Sequence, residues 1–306
     1  MPYPTPIEWT DATWNPVGGC SVKSPGCKPC YAMQLAGTRL HKHPLYAGTT
    51  TRENGRPVFN GTMTVAPDDH PVWTWPLSWR GAREPKLGAG RPSLIFVGDM
   101  ADLYHEKRDP AVIDRTVGTI SQSKHIGQLL TKRPAGMAKY FYRLRERRYR
   151  GDVDCAIRGD LRYHLWLGVS AERQREFDAR WPHLRSLADM GFTVFVSYEP
   201  ALGPLKLPKD FLALGMRAWL IAGGVSGRWP WAPDPDWFRS VRDQCAPADV
   251  PFFFKQWGKW RPAPEIVDAK GPSFKHFRSG WMQNYGHEEI GRKLDDVEHN
   301  AFPRAA

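Results

Sequence analysis

A recurrence limits this chain more than any other feature. From about residue 90, short continuous apolar runs alternate with stretches of helical periodicity. The run SLIFVGDM (Ser93 to Met100) comes first, and an apolar run without polar alternation reads as a strand buried on both faces, as in a parallel sheet. Next, RDPAVIDRTVGTIS offers Asp109 as N-cap and Pro110 at the first helical position, with Val112, Ile113, Val117 and Ile120 on one face. The unit returns as GQLLTKRP, followed by a helix carrying Met137, Tyr140, Phe141 and Leu144. It returns again as HLWLGVSAE, with Phe177, Trp181, Leu184 and Ala188 on its helix. GFTVFVSYEP, RAWLIAGGVSG and VPFFFKQWG continue the series, and Asp234-Pro235 opens a helix with Phe238, Val241 and Cys245 on one side.

Six firm strands, or up to eight if Ile7–Trp9 and Gly61–Val65 are strands too, alternate with helices. This predicts an α/β fold: a complete or partial (β/α) barrel of mostly parallel strands with right-handed crossovers fits better than an open doubly wound sheet, although periodicity alone does not separate the two. The expected organisation is a single barrel domain over residues 1–260, with a Pro- and charge-rich extension at 261–306 packed on it or trailing from it. TTTRENGRPVFNG and REPKLGAGRP read as surface excursions.

Polar and small residues recur where each apolar run ends: Asp99, then Lys132 and Arg133, then Ser170 and Glu172. Ser197 and Glu199 follow, then Gly223 and Gly224, then Lys255 and Gln256. Ligands of parallel α/β folds bind beyond the carboxyl ends of the strands, so these ends are expected to form one rim.

Three of the five cysteines crowd into one turn-rich loop at residues 18–31, as Cys20, Cys27 and Cys30, with the spacing C-x(6)-C-x(2)-C. An odd count in a long chain argues against a disulfide scaffold. Cysteine thiolates hold iron–sulfur clusters, and a [4Fe–4S] cube ordinarily takes four, so three would leave one iron open to a small molecule. Zinc is the rival reading, with Cys27 and Cys30 as half a site and His41 or His43 completing it. Cys155 and Cys245 lie apart and read as structural thiols.

The formal net charge of +11, from 43 Lys and Arg against 32 Asp and Glu, favours polyanionic partners. RLRERRYR (Arg143 to Arg150) is the densest basic run, readable as a solvated helix face or as a phosphate-binding patch. Fourteen tryptophans point to an aromatic-lined interior or cleft. No apolar stretch is long enough to span a bilayer, and the start MPYPTPIEWTDATW lacks the regions of a signal peptide, so a cytoplasmic location is expected.

IEWTDATWNPVGGCSVKSPGCKPCYA, IFVGDMADLYHE, LLTKRP, LWLGVSAE, VSYEPALGPL, LIAGGVSG and PFFFKQWG together resemble the phage gp-thirty-seven/gp-sixty-eight-like family over most of residues 7–260. That family is similar to radical S-adenosylmethionine (SAM) enzymes, in the style of the spore photoproduct lyases, which act on DNA. The resemblance implies that Cys20, Cys27 and Cys30 hold a [4Fe–4S] cluster and that SAM chelates the open iron. It implies reductive cleavage of SAM to a 5′-deoxyadenosyl radical that abstracts a substrate hydrogen, with electrons from an external donor. It also implies SAM contacts at Lys132 or Arg133, at Ser170, Glu172 and Glu199, and at the Gly223-Gly224 strand end.

The chain departs from the usual radical SAM pattern in three places. Six residues rather than three separate the first two cysteines, APDDH follows GTMTV where Gly-Gly-Glu would stand, and Pro29 rather than an aromatic precedes Cys30. The expected function is therefore a radical SAM-type enzyme acting on DNA, RNA or a nucleotide. The alternatives are an iron–sulfur electron-transfer or repair protein that does not cleave SAM, and a zinc-stabilised nucleic-acid-binding module.

Overall fold

The computed structural model describes residues 5–150, 159–225, 231–266, 270–285 and 291–304. Cys155 falls outside them. The centre is a seven-stranded sheet in chain order, every neighbouring pair parallel. Its strands are β1 (Ala12–Trp14), β2 (Leu94–Val97), β3 (Ile126–Thr131), β4 (Leu165–Ser170), β5 (Thr193–Tyr198), β6 (Ala218–Gly223) and β7 (Phe252–Gln256). The connections carry α1 (Tyr31–Ala36), α2 (Pro110–Gln122), α3 (Pro134–Arg150), α4 (Gln174–Asp189) and α5 (Pro235–Cys245). Among the described residues no helix is long and apolar enough to cross a membrane.

Each strand divides its side chains between two cores, as the two-residue period requires. Ile95 and Val97 of β2 face the helices, whereas Leu94 and Phe96 face the concave side with Ile126, Trp166, Phe195, Trp219 and Phe253. Trp9, at the foot of β1, joins this inner group, and its ring lies 6.2 Å from that of Trp219 on β6. Five strand spacings in a flat sheet would be about 24 Å. The sheet is therefore curled into a partial barrel, left open between β1 and β7, which do not pair.

The caps expected from the sequence are present. The Asp109 carboxylate accepts a hydrogen bond from Ala111 N at the start of α2, and Asp234 accepts one from Asp236 N at the start of α5. Cys245 ends α5 fully buried.

Two expectations require correction, the strands at Ile7–Trp9 and Gly61–Val65. Ile7–Trp9 is a turn, because Trp9 folds into the barrel interior, and the first strand begins three residues later at Ala12. Of Gly61–Val65 only Thr64 and Val65 are extended, paired antiparallel with Val17–Gly18 outside the main sheet. TTTRENGRPVFNG forms a hairpin, Thr50–Glu53 against Arg56–Phe59, whose turn residues Asn54 and Gly55 both have positive φ. This is the Asn-Gly turn that suits strand twist. Helix α1 after Cys30 ends at Ala36, where Gly37 lies so close to Pro57 of that hairpin that a β-carbon would fall 2.2 Å from it.

Beyond β7 the chain forms a small antiparallel sheet, with Gly280–Asn284 between Trp260–Pro262 and Phe274–Phe277. It then returns to the barrel. Phe254 N donates to His299 O and Ala301 N to Phe252 O, which covers the exposed edge of β7. Trp219 Nε1 donates to Ala301 O, and the Phe302 ring lies 5.1 Å from Trp219.

Candidate metal and cofactor site

The cysteine loop leaves the end of β1 and crosses the carboxyl end of the sheet. Gly19 turns it with φ +88°, and a β-carbon there would lie 2.0 Å from Thr62 O. Buried Arg108 then ties two segments together, donating from Nη2 to Gly18 O and from Nη1 to Thr64 O. Cys20 O accepts from Gly61 N. A short 3-10 turn at Pro25–Cys27 and the N-terminus of α1 place the other two thiols. Tyr31 holds α1 to β2 through its hydroxyl, which donates to Asp99 O and Asp99 Oδ2, and Asn15 Nδ2 donates to the same carboxylate.

Two buried ionic assemblies stiffen the loop from behind. Arg133, at the end of β3, donates from Nε to Glu106, from Nη1 to Asp102 (3.0 Å) and from Nη2 to Ser21 Oγ (2.7 Å). Its Nη1 also lies 3.7 Å from Cys20 Sγ. Asp102 in turn accepts from Thr131 Oγ1 and from the backbone of Tyr104. The second assembly centres on Glu172, whose side chain is fully buried. It accepts from Ser24 Oγ (2.6 Å) and Arg180 Nη1 (3.1 Å), and Lys132 Nζ stands 3.7 Å away. A β-carbon on Gly26 would fall 2.4 Å from Glu172, so only glycine lets the loop lie this close.

Cys20, Cys27 and Cys30 line one cavity of about 580 Å³ at the mouth of the partial barrel. The facing wall comes from strand ends: Asp99, Thr131, Ser170, Ser197, Glu199 and Gln256. Lys132 and Gly224 also reach it. Glu199 pairs with Lys255 Nζ at 2.8 Å, and the Glu199–Pro200 peptide is cis. Burial pushes the Cys20 thiol up to about 12, with Asp102 adding to the shift and Arg133 opposing it. Burial likewise raises Cys30, against the pull of nearby Lys132. Lys132 is pushed down by burial, but Glu172, Cys27 and Cys30 outweigh this and raise it.

The residues singled out in the sequence thus separate into two groups. Lys132, Ser170, Glu199 and Gly224 share the cavity with the cysteines. Arg133, Glu172 and Gly223 do not line it. Arg133 and Glu172 bind the cysteine loop, and Gly223 packs behind Glu199. Asn15, Tyr31, Asp102, Arg108 and Arg180 were not anticipated. Asn15, Tyr31 and Arg108 act through contacts 44 to 90 residues away, Asp102 from the irregular stretch after β2, and Arg180 from the helix that follows Glu172; periodicity carries no signal for such partners.

The donor set decides which metal chemistry fits. A single zinc needs its donors at about 2.0–2.3 Å from one point, and among the described residues no three Cys, His, Asp or Glu side chains could hold one ion. His41 and His43 face elsewhere. His41 Nδ1 meets Thr38 O, while His43 Nδ1 accepts from Leu45 N with its ring against Tyr46. A cluster asks less of each thiolate, which need only reach its own iron. Three thiols on one cavity wall, with Lys132 and Arg133 beside them to balance negative charge, fit such a group.

The fold and the site define an α/β partial barrel with a thiol-lined mouth. The chain belongs to the family described as "Protein of unknown function (DUF5131)", which matches residues 4–303. Comparison with curated proteins finds no match. Among solved structures the chain is similar to spore photoproduct lyase. A cysteine-to-serine mutant of that enzyme aligns at 11% identity and TM-score 0.43, over 94% of this chain and 72% of the other. The same enzyme complexed with dinucleoside spore photoproduct aligns at 10% and 0.44, over 94% and 72%. A double mutant with bound AdoMet and the dinucleoside photoproduct aligns at 10% and 0.42, over 91% and 69%.

Proposed function

We propose that this chain is a radical SAM-type iron–sulfur enzyme acting on a nucleic acid or nucleotide. Cys20, Cys27 and Cys30 would each bind one iron of a [4Fe–4S] cluster, with SAM at the iron left without a protein ligand. One observation carries the reading: three thiols and a set of strand-end polar groups face the same cavity at the carboxyl end of a curled parallel sheet. An electron-transfer centre has no use for such a cavity beside its cluster, which favours the enzyme over the redox alternative. The resemblance to the phage gp-thirty-seven/gp-sixty-eight-like family agrees with it.

When bound, cluster and SAM supply hydrogen-atom abstraction started by a single electron from an external donor. The chain's own residues position and shield. Lys132, Ser170, Glu199 and Gly224, which line the cavity, would hold SAM, while Arg133 and Glu172 hold the cysteine loop at its distance from the sheet. Trp9, Phe59 and Phe96 form an apolar wall of the same cavity and keep water from the reacting atoms. The net charge of +11 suits a phosphate-bearing substrate.

Anaerobic purification tests this directly. Brown protein holding iron and sulfide, bleached by dithionite, is expected to release 5′-deoxyadenosine from SAM once reduced. Replacing any one of Cys20, Cys27 and Cys30 by Ala should abolish iron retention, and Cys245→Ala should not. Colourless protein with one stoichiometric zinc would overturn the reading.

A further inference from the structure

A second cavity, of about 930 Å³, lies on the helical side of the barrel between α2, α3 and α4. Ten lysines and arginines line it against three carboxylates. All three carboxylates are already engaged. Glu106 pairs with Arg133 and Lys23, Asp114 with Arg147 and the Tyr140 hydroxyl, and Glu176 with Arg173. Lys139 and Arg143, one turn apart on α3, and Arg175, in the first turn of α4, are exposed. None of these three has an ion-pair partner among the described residues. Like charges gathered in one groove repel, and a bound polyanion relieves that repulsion.

Two buried groups make the same demand. Tyr104 and Arg108 are 3% and 5% exposed and line this cavity, yet the Tyr104 hydroxyl and Arg108 Nε have no hydrogen-bond partner. Both are donors. Buried donors without acceptors cost free energy, and here they leave this wall of the cavity an excess of positive polarity.

We propose that this groove binds the phosphates of a nucleic-acid strand, at a site separate from the thiol-lined mouth. A strand fits better than a single phosphate because the cations are spread along the helix. Lys139, Arg143 and Arg147 follow one another on the cavity face of α3, a stripe of about 12 Å that reaches more than one phosphate. Tyr142 and Tyr149 on the same helix are 37% and 94% exposed, and Arg145 lies over the Tyr142 ring. Exposed aromatics among cations are the means by which proteins stack bases of single strands.

The groove also adjoins the mouth. Ser24 and Pro25 line the groove, Gly26 and Cys27 line the mouth, and Lys132 reaches both. A strand held on α3 thus passes behind the cysteine loop. This placement deepens the substrate side of the proposed function, and its test requires no turnover.

The test is fluorescence anisotropy of a labelled single-stranded oligonucleotide with the anaerobically prepared full chain across a salt series. The triple variant Lys139→Glu, Arg143→Glu, Arg175→Glu should bind at least about tenfold more weakly, with its salt slope reduced by about 2 to 3. Its iron content and 5′-deoxyadenosine release should match the parent's. A control with equal charge change at exposed positions elsewhere (Lys206→Glu, Lys270→Glu, Lys275→Glu) should bind nearly as the parent does. Equal affinity in parent and groove variant, or equal loss in the control, would overturn the site. Full displacement of the oligonucleotide by a mononucleotide or inorganic phosphate at matched ionic strength would overturn the strand as occupant. No binding by the parent at low salt would overturn both. Absence of iron with binding intact would remove the radical reading and leave the groove standing.

Discussion

Glu172 shows how one side chain can matter to a site without touching its cavity. Its carboxylate is fully buried, accepts from Ser24 of the cysteine loop and from Arg180 of α4, and stands beside Lys132. Removing one member of a buried ionic assembly leaves the others desolvated and uncompensated, at a cost of about 3–5 kcal/mol. Glu172→Ala is therefore expected to lower unfolding free energy by about that amount in denaturant titration. Glu172→Gln, which keeps an acceptor for Ser24, should lose less stability and retain more iron. If the Ala variant were as stable as the parent, the carboxylate would not be the strut of this loop. The pattern S-A-E after β4 marked a polar strand end. Whether its glutamate would face the cavity or the loop behind it depended on Arg180, eight residues further along the chain.

At the scale of elements, the curl of the sheet depends on aromatic side chains of its inner face. Trp219 on β6 meets Trp9, Trp166, Phe195, Phe253 and Phe302 within 6.2 Å between ring centroids. It thereby joins the foot of β1 to the middle strands and to the returning tail. Trp219→Ala should cost about 3–5 kcal/mol, read by denaturant titration. The cavity it leaves lies under the mouth, so iron retention should fall as well. Phe302→Ala removes one ring at the edge of this group, where it meets Trp219 and Phe253, and should cost less. The strands and the long helices were legible because β2 to β7 are continuous apolar runs and α2 to α5 keep one apolar stripe. The three-residue β1 was not, because Ala-Thr-Trp between Asp11 and Asn15 is too short to show a period.

Across the whole molecule, the proposed cluster would couple segments that otherwise meet only through side chains. Its ligands come from the loop before α1, and that loop is anchored to β2, β3 and α4 through Asp99, Arg133 and Glu172. A group that binds the folded chain and not the unfolded one raises apparent stability by mass action. Reconstitution with iron and sulfide should accordingly raise the Tm, and oxidative loss of the cluster should lower it. Cys27→Ala should show no such rise. A Tm indifferent to reconstitution in the parent chain would contradict the ligand assignment.

The sequence by itself determined the α/β class, the alternation of its strands with helices and the three thiols in one loop, since these rest on local periodicity and spacing. It also marked the strand ends at which Lys132, Ser170, Glu199 and Gly224 stand. Only the tertiary structure decided that the barrel stays open and that Arg133 and Glu172 turn behind the loop. It alone placed α3 and α4 side by side, so that Lys139, Arg143 and Arg175 share one groove. The physical reason is one of range. Periodicity tells which face of an element is buried, whereas a charge takes its role from whichever distant partner the folded chain brings within a few ångströms.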